Sequence, residues 1–220
     1  MCTGRVDLAF VLHAFARGAD GVFIGGCWPG ECHYVTEGNY DALGNVYLAR
    51  KLMAHVGLCP DRLRIEWVAA SEGSRFAEVM NDFVKQLKAL GPLGRGEGLD
   101  EGVLEGRLEA ARKLVPYIKL VERERLRVPA KSETAYHEFY ASDEANRLFD
   151  ELIADKLATS QILDLLKVRP LSTAEICASL GLSASEVSRH MNASSRQGWV
   201  RYDVDRSRYA LAQVGIGRNG

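Results

Sequence analysis

The first ninety residues alternate between two hydrophobic patterns. Apolar side chains recur every three or four positions in residues 6–17, 39–56 and 71–90, which predicts three helices with one buried face each. Residues 22–26 and 64–69 are short apolar runs that predict buried strands. Strands that alternate with helices indicate an α/β fold with a small parallel sheet, in which right-handed crossovers place both strand ends at one edge.

The pattern changes after this region. Residues 91–98 are rich in Gly and predict a linker. A long helix is predicted over residues 99–126, with Pro116 expected to kink or divide it. Residues 129–142 hold a group of aromatic side chains, for which a docking patch and a local core are both open, the local core being the more common arrangement.

The last third has a third pattern. One helix ends before Arg169, two helices open at Ser172 and Ser183 with the spacing of a capping box, and residues 199–209 predict a two-stranded hairpin. This order resembles the winged helix-turn-helix domains of small bacterial regulators. The chain is therefore predicted to have three segments: an α/β domain over residues 1–92, a linker with helices over residues 93–154, and a winged helix-turn-helix domain over residues 155–213.

Composition is that of an ordinary globular protein, with 47% apolar residues, 26% charged residues and a net charge of −1. No apolar run approaches the roughly 20 residues of a membrane span, and the first residues do not resemble a signal peptide. The near-neutral charge gives no bulk electrostatic reason to expect nucleic-acid binding. Isolated cysteines without an even framework indicate a reducing cytosol, so we predict a cytoplasmic protein without membrane contact.

Three of the five cysteines stand near a predicted strand end. Cys27 and Cys32 lie in a turn rich in Gly and Pro directly after the first strand, and Cys2 precedes the first helix. Ligands usually bind at the carboxyl ends of strands in open α/β sheets. Three thiols there predict an iron–sulfur cluster or, as the second choice, zinc. The alternative is that these cysteines are small buried hydrophobes, because C-x4-C is less diagnostic than paired CxxC motifs. Cys59 and Cys177 lack such surroundings and are expected to be structural.

A series of ordered motifs up to about Pro92 resembles the delta subunit family of methyl-viologen-reducing hydrogenases, small iron–sulfur proteins that partner heterodisulfide reductases. The matching runs are MCTGRVD at residues 1–7, GADGV at 18–22, GGCWPGECHY at 25–34, GNY at 38–40, RLRIEW at 62–67 and SEG at 71–73, followed by Phe76.

The resemblance implies a ligand set and a function. It implies that Cys2, Cys27 and Cys32 ligate a [2Fe–2S] cluster in a small parallel-sheet domain of flavodoxin-like or Rossmann-like type. It also implies a non-catalytic electron-transfer component of an oxidoreductase complex. The implied partners are a second oxidoreductase module and a heterodisulfide-reductase-like subunit that carries flavin and iron–sulfur clusters.

The chain starts inside the family's pattern, so we expect an iron–sulfur domain that is truncated at its N-terminus. A [2Fe–2S] cluster usually takes four protein ligands, and only three cysteines match the pattern. The fourth ligand is left open among a partner chain, a preceding segment and a group that is not protein. For the same reason the isolated chain is expected to be poorly stable without partners.

Two functions are open for the C-terminal domain. Its candidate recognition helix carries Arg189, His190 and Arg196, which are capable of base or phosphate contacts. Asp203 and Asp205 place negative charge on the neighbouring hairpin, and we favour protein docking over nucleic-acid binding. The alternative function is an iron–sulfur redox-sensing transcription regulator that binds DNA through this domain.

Overall fold

The computed structural model describes residues 2–212 and divides into two compact units. The first unit ends at Asp150 and the second begins at Glu151. Met1, which opens the first matching run, and Gln213, which ends the third predicted segment, lie outside the described residues.

The first unit contains six helices and two strands among its described residues. They are α1 (Leu8–Ala16), β1 (Val22–Gly26), α2 (Gly38–Val56), β2 (Leu63–Trp67), α3 (Gly73–Leu90), α4 (Glu101–Arg125), α5 (Glu133–Ala141) and α6 (Asp143–Phe149), with short 3₁₀ turns at Thr3–Arg5 and Pro60–Arg62. A π-helical turn follows at Asp150–Ala154.

The two strands of this unit form the predicted parallel pair. Their register runs from Val22 opposite Leu63 to Gly26 opposite Trp67, so both strands end at the same edge. The expectation of a mixed fold of helices and strands with a small parallel sheet is therefore confirmed. The turn that carries the cysteines leaves β1 at this edge and leads into α2.

The core of the first unit forms around α2, which contacts α1, α4, α5 and β2. Leu48, Leu52 and Met53 on α2 are fully buried, and so are Leu8 and Phe15 on α1. Burial of each such side chain contributes about 1.5–3 kcal/mol. The start of α2 is therefore held on a well-packed helix, which fixes the position of the residues around Gly38.

The start of α3 differs from its predicted position. The helix begins at Gly73, and the residue at the N-cap position is Glu72. The helix therefore begins two residues after the predicted start at residue 71. The Glu72 carboxylate instead accepts hydrogen bonds from the backbone N–H of Ala69 at 2.7 Å and from the indole of Trp28 at 2.8 Å, which ties the turn before α3 to the cysteine turn.

The longest helix, α4, is continuous from Glu101 to Arg125 and is not divided at Pro116. Its buried residues, among them Leu108 and Ile118, pack mainly against α1, and this tertiary packing supports the helix through the proline. Neither α4 nor any other helix within residues 2–212 is both long and apolar enough to cross a membrane.

Residues 91–98, predicted to be a linker, close around Arg62 in the first unit. The Arg62 side chain is completely buried and donates hydrogen bonds to the carbonyls of Asp20 and Gly91 and to the Glu97 carboxylate. The helices that follow pack on α1 and α2. This stretch is therefore a fixed part of the first unit.

The second unit has the predicted order of elements. It contains α7 (Asp155–Val168), α8 (Thr173–Leu180), α9 (Ala184–Arg196) and the antiparallel strands β3 (Val200–Asp203) and β4 (Arg208–Leu211). The capping boxes of Ser172 with Glu175 and of Ser183 with Glu186 are both present and start α8 and α9. The core of this unit includes Ile162, Leu166, Ile176, Val187, Met191 and Val200.

Candidate functional site

Two of the three candidate ligands lie side by side. Cys2 precedes the 3₁₀ turn Thr3–Arg5, and Cys32 lies in the turn between β1 and α2. Their Sγ atoms are 3.7 Å apart, although thirty residues separate them along the chain. Cys32 is buried, Cys2 is half-buried, and neither forms a disulfide.

The distance between the two sulfurs suits a shared metal ion. Two thiolates about 2.3 Å from one tetrahedral metal ion lie about 3.8 Å apart, and iron–sulfur sites use tetrahedral sulfur coordination. A disulfide would require about 2.05 Å. The observed distance therefore fits two thiolates on the same metal ion. It also fits a thiol–thiol hydrogen bond without metal.

The start of α2 forms the floor beneath this sulfur pair. Gly38 is the first residue of the helix and lies against both Sγ atoms, with no room for a side-chain carbon. The motif at residues 38–40 enters the sequence pattern only through the family resemblance, and nothing in its spacing signals this role.

Cys27 lies at the end of β1, one residue beyond Gly26. Its backbone carbonyl accepts a hydrogen bond from the side-chain amide of Asn39, which is buried at the start of α2. Within residues 2–212 there is no group of three or more His, Cys, Asp and Glu side chains placed to hold one metal ion. The structure therefore brings Cys2 and Cys32 together and does not bring Cys27 into a three-ligand group, so its role as a third ligand stays a prediction.

The cysteine turn is anchored to the first turn of α3. The indole of Trp28 donates to Glu72, and the guanidinium of Arg75 lies 5.0 Å from the centre of the Trp28 ring. The hydrogen bonds from the Ala69 N–H and the Trp28 indole lower the pKa of the Glu72 carboxyl. A charged Glu72 therefore holds the tip of the turn between Cys27 and Cys32.

The two remaining cysteines lie elsewhere. The backbone N–H of Cys59 donates to Glu97 in the segment around Arg62. Cys177 packs against the core of the second unit. Both positions agree with the structural role expected for them.

A half-buried carboxyl of α4 lies against α2. Burial, together with the negative charges of Asp41 and Asp7, raises the pKa of Glu122 to about 7 against the opposing effect of Lys119. Lys119 itself forms an ion pair with Asp7, the N-cap of α1. Glu122 is therefore a titratable group near neutral pH inside the first unit.

In the second unit, the candidate recognition helix is partly engaged by its own domain. Arg189 forms a two-pronged ion pair with Asp155 of α7, one contact being 2.9 Å. His190 is buried and its Nδ1 lies 3.1 Å from the Thr159 hydroxyl, so it is not placed to contact a base. Arg196 remains exposed.

The hairpin carries both signs of charge. Arg201 and Arg206 are exposed, as is Asp205 at the tip. The carboxylate of Asp203 accepts the backbone N–H of Arg206 at 3.1 Å, which closes the turn between β3 and β4. One of the two aspartates counted against DNA binding thus has a local structural use.

Comparison with protein families matches both ends of this architecture. Residues 1–91 match the family described as methyl-viologen-reducing hydrogenase, delta subunit. Residues 159–201 match the family described as bacterial regulatory protein, arsR family. The first match contains all three candidate ligands, and the second contains α8 and α9.

Individual relatives agree with the first match. The iron-sulfur subunit of the F420-non-reducing hydrogenase of Archaeoglobus profundus is 50% identical over 91 residues, which are 41% of this chain and 66% of the relative. A subunit of the Ferredoxin/F(420)H(2)-dependent CoB-CoM heterodisulfide reductase of Methanosarcina acetivorans is 46% identical over 94 residues, 43% of this chain and 12% of the relative.

The chain therefore spans just under two thirds of the first relative and about an eighth of the second. A third relative, the vhu iron-sulfur subunit of the F420-non-reducing hydrogenase of Methanopyrus kandleri, is 37% identical over 92 residues, 42% of this chain and 69% of the relative. With its N-terminal region, the chain belongs to the methyl-viologen-reducing hydrogenase delta subunit family.

Proposed function

We propose that this chain is an electron-transfer subunit that holds a [2Fe–2S] cluster. It relays electrons between an oxidoreductase module and a heterodisulfide-reductase-like flavoprotein, without substrate chemistry of its own. The observation that carries the proposal is the Cys2–Cys32 pair, whose sulfurs lie 3.7 Å apart within the region that matches the delta subunit family.

The names of the relatives support this assignment. Several are called iron-sulfur subunits of hydrogenases. In two others the matching region is a small part of a chain that is named as one of the subunits of a CoB-CoM heterodisulfide reductase. A module that occurs inside such a chain is suited to work beside one when it is separate.

When bound, the cluster supplies a one-electron carrier. Cys2 and Cys32 would hold the cluster as thiolates, since their sulfurs already lie close together. Cys27 is the third ligand, and the fourth comes from outside the described residues.

The proposal also assigns the parts of the chain. Residues 1–92 are a flavodoxin-like or Rossmann-like iron–sulfur domain, and residues 155–213 are a winged helix-turn-helix domain that docks a partner protein. Residues 93–154 connect the two, and up to Asp150 they belong to the first unit. The free cysteines within residues 2–212 support a reducing compartment, and we place the protein in the cytoplasm.

Anaerobic co-expression with a hydrogenase-type module and a heterodisulfide-reductase-like flavoprotein tests this function. A tag on this chain should recover flavin and iron–sulfur subunits in fixed ratio, and the EPR spectrum of the reduced complex should contain a signal that disappears in Cys32→Ser. Recovery of a complex in which this chain contains no iron would overturn the proposal. Zinc in its place would indicate a structural site.

The match to the arsR family favours one alternative, a redox-sensing regulator that binds DNA. The ion pair of Arg189 with Asp155 argues against it, because that arginine is already held by its own domain. In a gel-shift series with the full chain at two salt concentrations, we expect weak binding to random duplex DNA that Arg189→Ala barely changes. Tight, sequence-selective binding that Arg196→Ala weakens by about 1–3 kcal/mol would make the regulator the leading function.

A further inference from the structure

Two glycines meet where the sulfur pair lies. Gly4 stands in the 3₁₀ turn directly after Cys2, and Gly38 opens α2 after the turn that carries Cys32. A Cβ added to Gly4 would lie 2.7 Å from the carbonyl oxygen of Gly38 and 2.9 Å from its Cα. The two backbones are therefore in direct contact, and a methyl group on Gly4 would force them apart.

Gly38 faces the sulfurs on its other side. A Cβ added there would lie 2.5 Å from the Sγ of Cys32 and 2.8 Å from the Sγ of Cys2. Separations this short between a carbon and a sulfur are strongly repulsive, because interior atoms are already at van der Waals contact. A side chain at this position would have to displace one sulfur or both.

Backbone conformation does not explain either glycine. Neither residue has a φ in the left-handed region, in contrast to Gly30 and Gly57, which have φ values of 89° and 92°. Alanine could therefore adopt the backbone of Gly4 or Gly38 without strain. Both positions require a residue without a side chain. Backbone atoms of Gly38 occupy the place of a Cβ on Gly4, and the two sulfurs occupy the place of a Cβ on Gly38.

The surrounding contacts hold the turn against this floor. The hydroxyl of Thr3 donates to the carbonyl of Gly25 at 3.1 Å, which binds the turn to β1. The N–H of Gly38 donates to the carbonyl of Tyr34 at 3.0 Å, which fixes the start of α2. Cys32 is buried and Cys2 is only half-buried, so a side chain added at Gly38 would displace Cys2 more easily than Cys32.

We propose that the contact between Gly4 and Gly38 sets the distance between the sulfurs of Cys2 and Cys32, and that Gly38 and Gly4 are positioning residues for thiolate binding of a metal. The inference rests on the proposed function. It adds the backbone contact that holds two cysteines, far apart in sequence, close enough to bind one metal ion. Gly4 acts by letting the turn approach the start of α2, and Gly38 acts by having no side chain, so that both sulfurs pack directly against the helix.

The experiment uses the full chain, purified anaerobically without metal, with Cys59→Ser and Cys177→Ser in every sample so that these thiols do not compete. Cd²⁺ is titrated and the thiolate-to-metal absorbance is followed. Gly38→Ala and Gly4→Ala are compared with Gly73→Ala. Gly73 is a suitable control because it also opens a helix, has no left-handed φ and has open space where its Cβ would lie.

We expect Gly38→Ala and Gly4→Ala each to weaken Cd²⁺ binding by about 10–100-fold, the usual effect of disturbing groups that orient metal ligands. Gly73→Ala should bind as the unsubstituted background does. Gly4→Ala is the more selective of the two tests, because the three atoms nearest to its Cβ would all be backbone atoms of Gly38. A thermal melt of each metal-free variant reports whether the fold is kept.

Unchanged Cd²⁺ affinity in either glycine variant would overturn the inference. Loss of the cooperative melt in both would also overturn it, since the contact would then serve the fold as a whole and not the sulfur pair. Failure of the proposed function gives a different result: the background chain binds Cd²⁺ through the pair, yet the unsubstituted complex gains no iron–sulfur cluster.

Discussion

The first unit contains two glycine-rich segments, and they are used in opposite ways. Residues 91–98 wrap around the buried guanidinium of Arg62, which finds acceptors in backbone carbonyls and in the Glu97 carboxylate. Residues 25–38 instead bring Cys32 to Cys2, and the polar contact of each of these two sulfurs is the other sulfur.

The difference shows what separates a structural use of glycine from a functional one. In the Arg62 segment the buried charge is matched within the chain, and Arg62 and the Cys59 N–H lower the pKa of Glu97 although burial opposes this. In the cysteine segment two thiols from distant parts of the chain lie side by side, at a separation that suits a shared metal ion. A buried charge that is matched within the chain contributes to stability, whereas two thiols at this separation are suited to bind a metal.

The largest effect is expected from removing the charge at the centre of the Arg62 segment. Arg62→Met should lower the free energy of unfolding by about 3–5 kcal/mol, because it removes the cation opposite the mostly buried Glu97 carboxylate and the donor to the carbonyls of Asp20 and Gly91. Urea unfolding followed by circular dichroism measures it. Arg64→Met is the control, since Arg64 lies two residues further along the chain, in β2, with partly exposed ion pairs to Glu66 and Asp82, and its loss should cost about 1 kcal/mol or less.

If Arg62→Met lowered the free energy of unfolding by no more than about 1 kcal/mol beyond the control, the Arg62 segment would not depend on its buried ion pair. Arg62→Met should also leave the distance between Cys2 and Cys32 unchanged once the protein is folded. Cd²⁺ binding by the folded fraction checks that second point.

The next effect concerns Glu122, a carboxyl that lacks the kind of partner that Glu97 has. Its pKa is raised from 4.5 to about 7, chiefly by burial, so the folded protein keeps this proton at pH values where the unfolded chain releases it. The stability from this group is complete below about pH 4.5 and is lost as pH rises to about 7. The loss is about 3 kcal/mol at most.

Glu122→Gln should therefore raise the free energy of unfolding relative to wild type at pH 8 and change it little at pH 4.5. Chemical unfolding of both proteins at the two pH values measures the difference. Glu124→Gln is the matched control, because this glutamate lies on the same helix with its side chain 57% exposed and paired to Arg123. An equal change at both pH values would show that Glu122 is not held protonated in the folded protein.

The smallest effect is expected at the anchor of the cysteine turn. Trp28→Phe keeps the ring near Arg75 but removes the hydrogen bond to Glu72. Because the ring still packs, the unfolding midpoint should stay close to wild type, while amide hydrogen exchange at residues 28–36 should become faster. Unchanged exchange there would mean that the turn is held by its other contacts.

Regular elements of the fold could be predicted because their signals are local. The strands at residues 22–26 and 63–67 and the capping boxes at Ser172 and Ser183 follow from hydrophobic spacing and cap chemistry over a few residues. Contacts between residues that are far apart in the sequence could not be predicted. The closure of residues 91–98 around Arg62 joins parts of the chain that have no common sequence signal.

The same limit applies to the candidate site. The sequence identified Cys2 and Cys32 as candidates, but their proximity depends on a contact between Gly4 and Gly38, thirty-four positions apart. It also placed Arg189 and His190 on a recognition surface, whereas Asp155 and Thr159 of a neighbouring helix engage them. Composition and spacing identify side chains that are chemically able to bind a ligand. Tertiary packing determines which of these side chains are instead engaged by other residues of the chain.

The central claim is that Cys2, Cys27 and Cys32 hold one iron–sulfur cluster in the assembled complex. The most direct test is iron and acid-labile sulfide analysis, with EPR of the reduced state, on the complex carrying each of the five cysteines as serine in turn. We expect loss or gross change of the EPR signal in Cys2→Ser, Cys27→Ser and Cys32→Ser, and wild-type cluster content in Cys59→Ser and Cys177→Ser. Full iron content and an unchanged spectrum in Cys2→Ser and Cys32→Ser would contradict it.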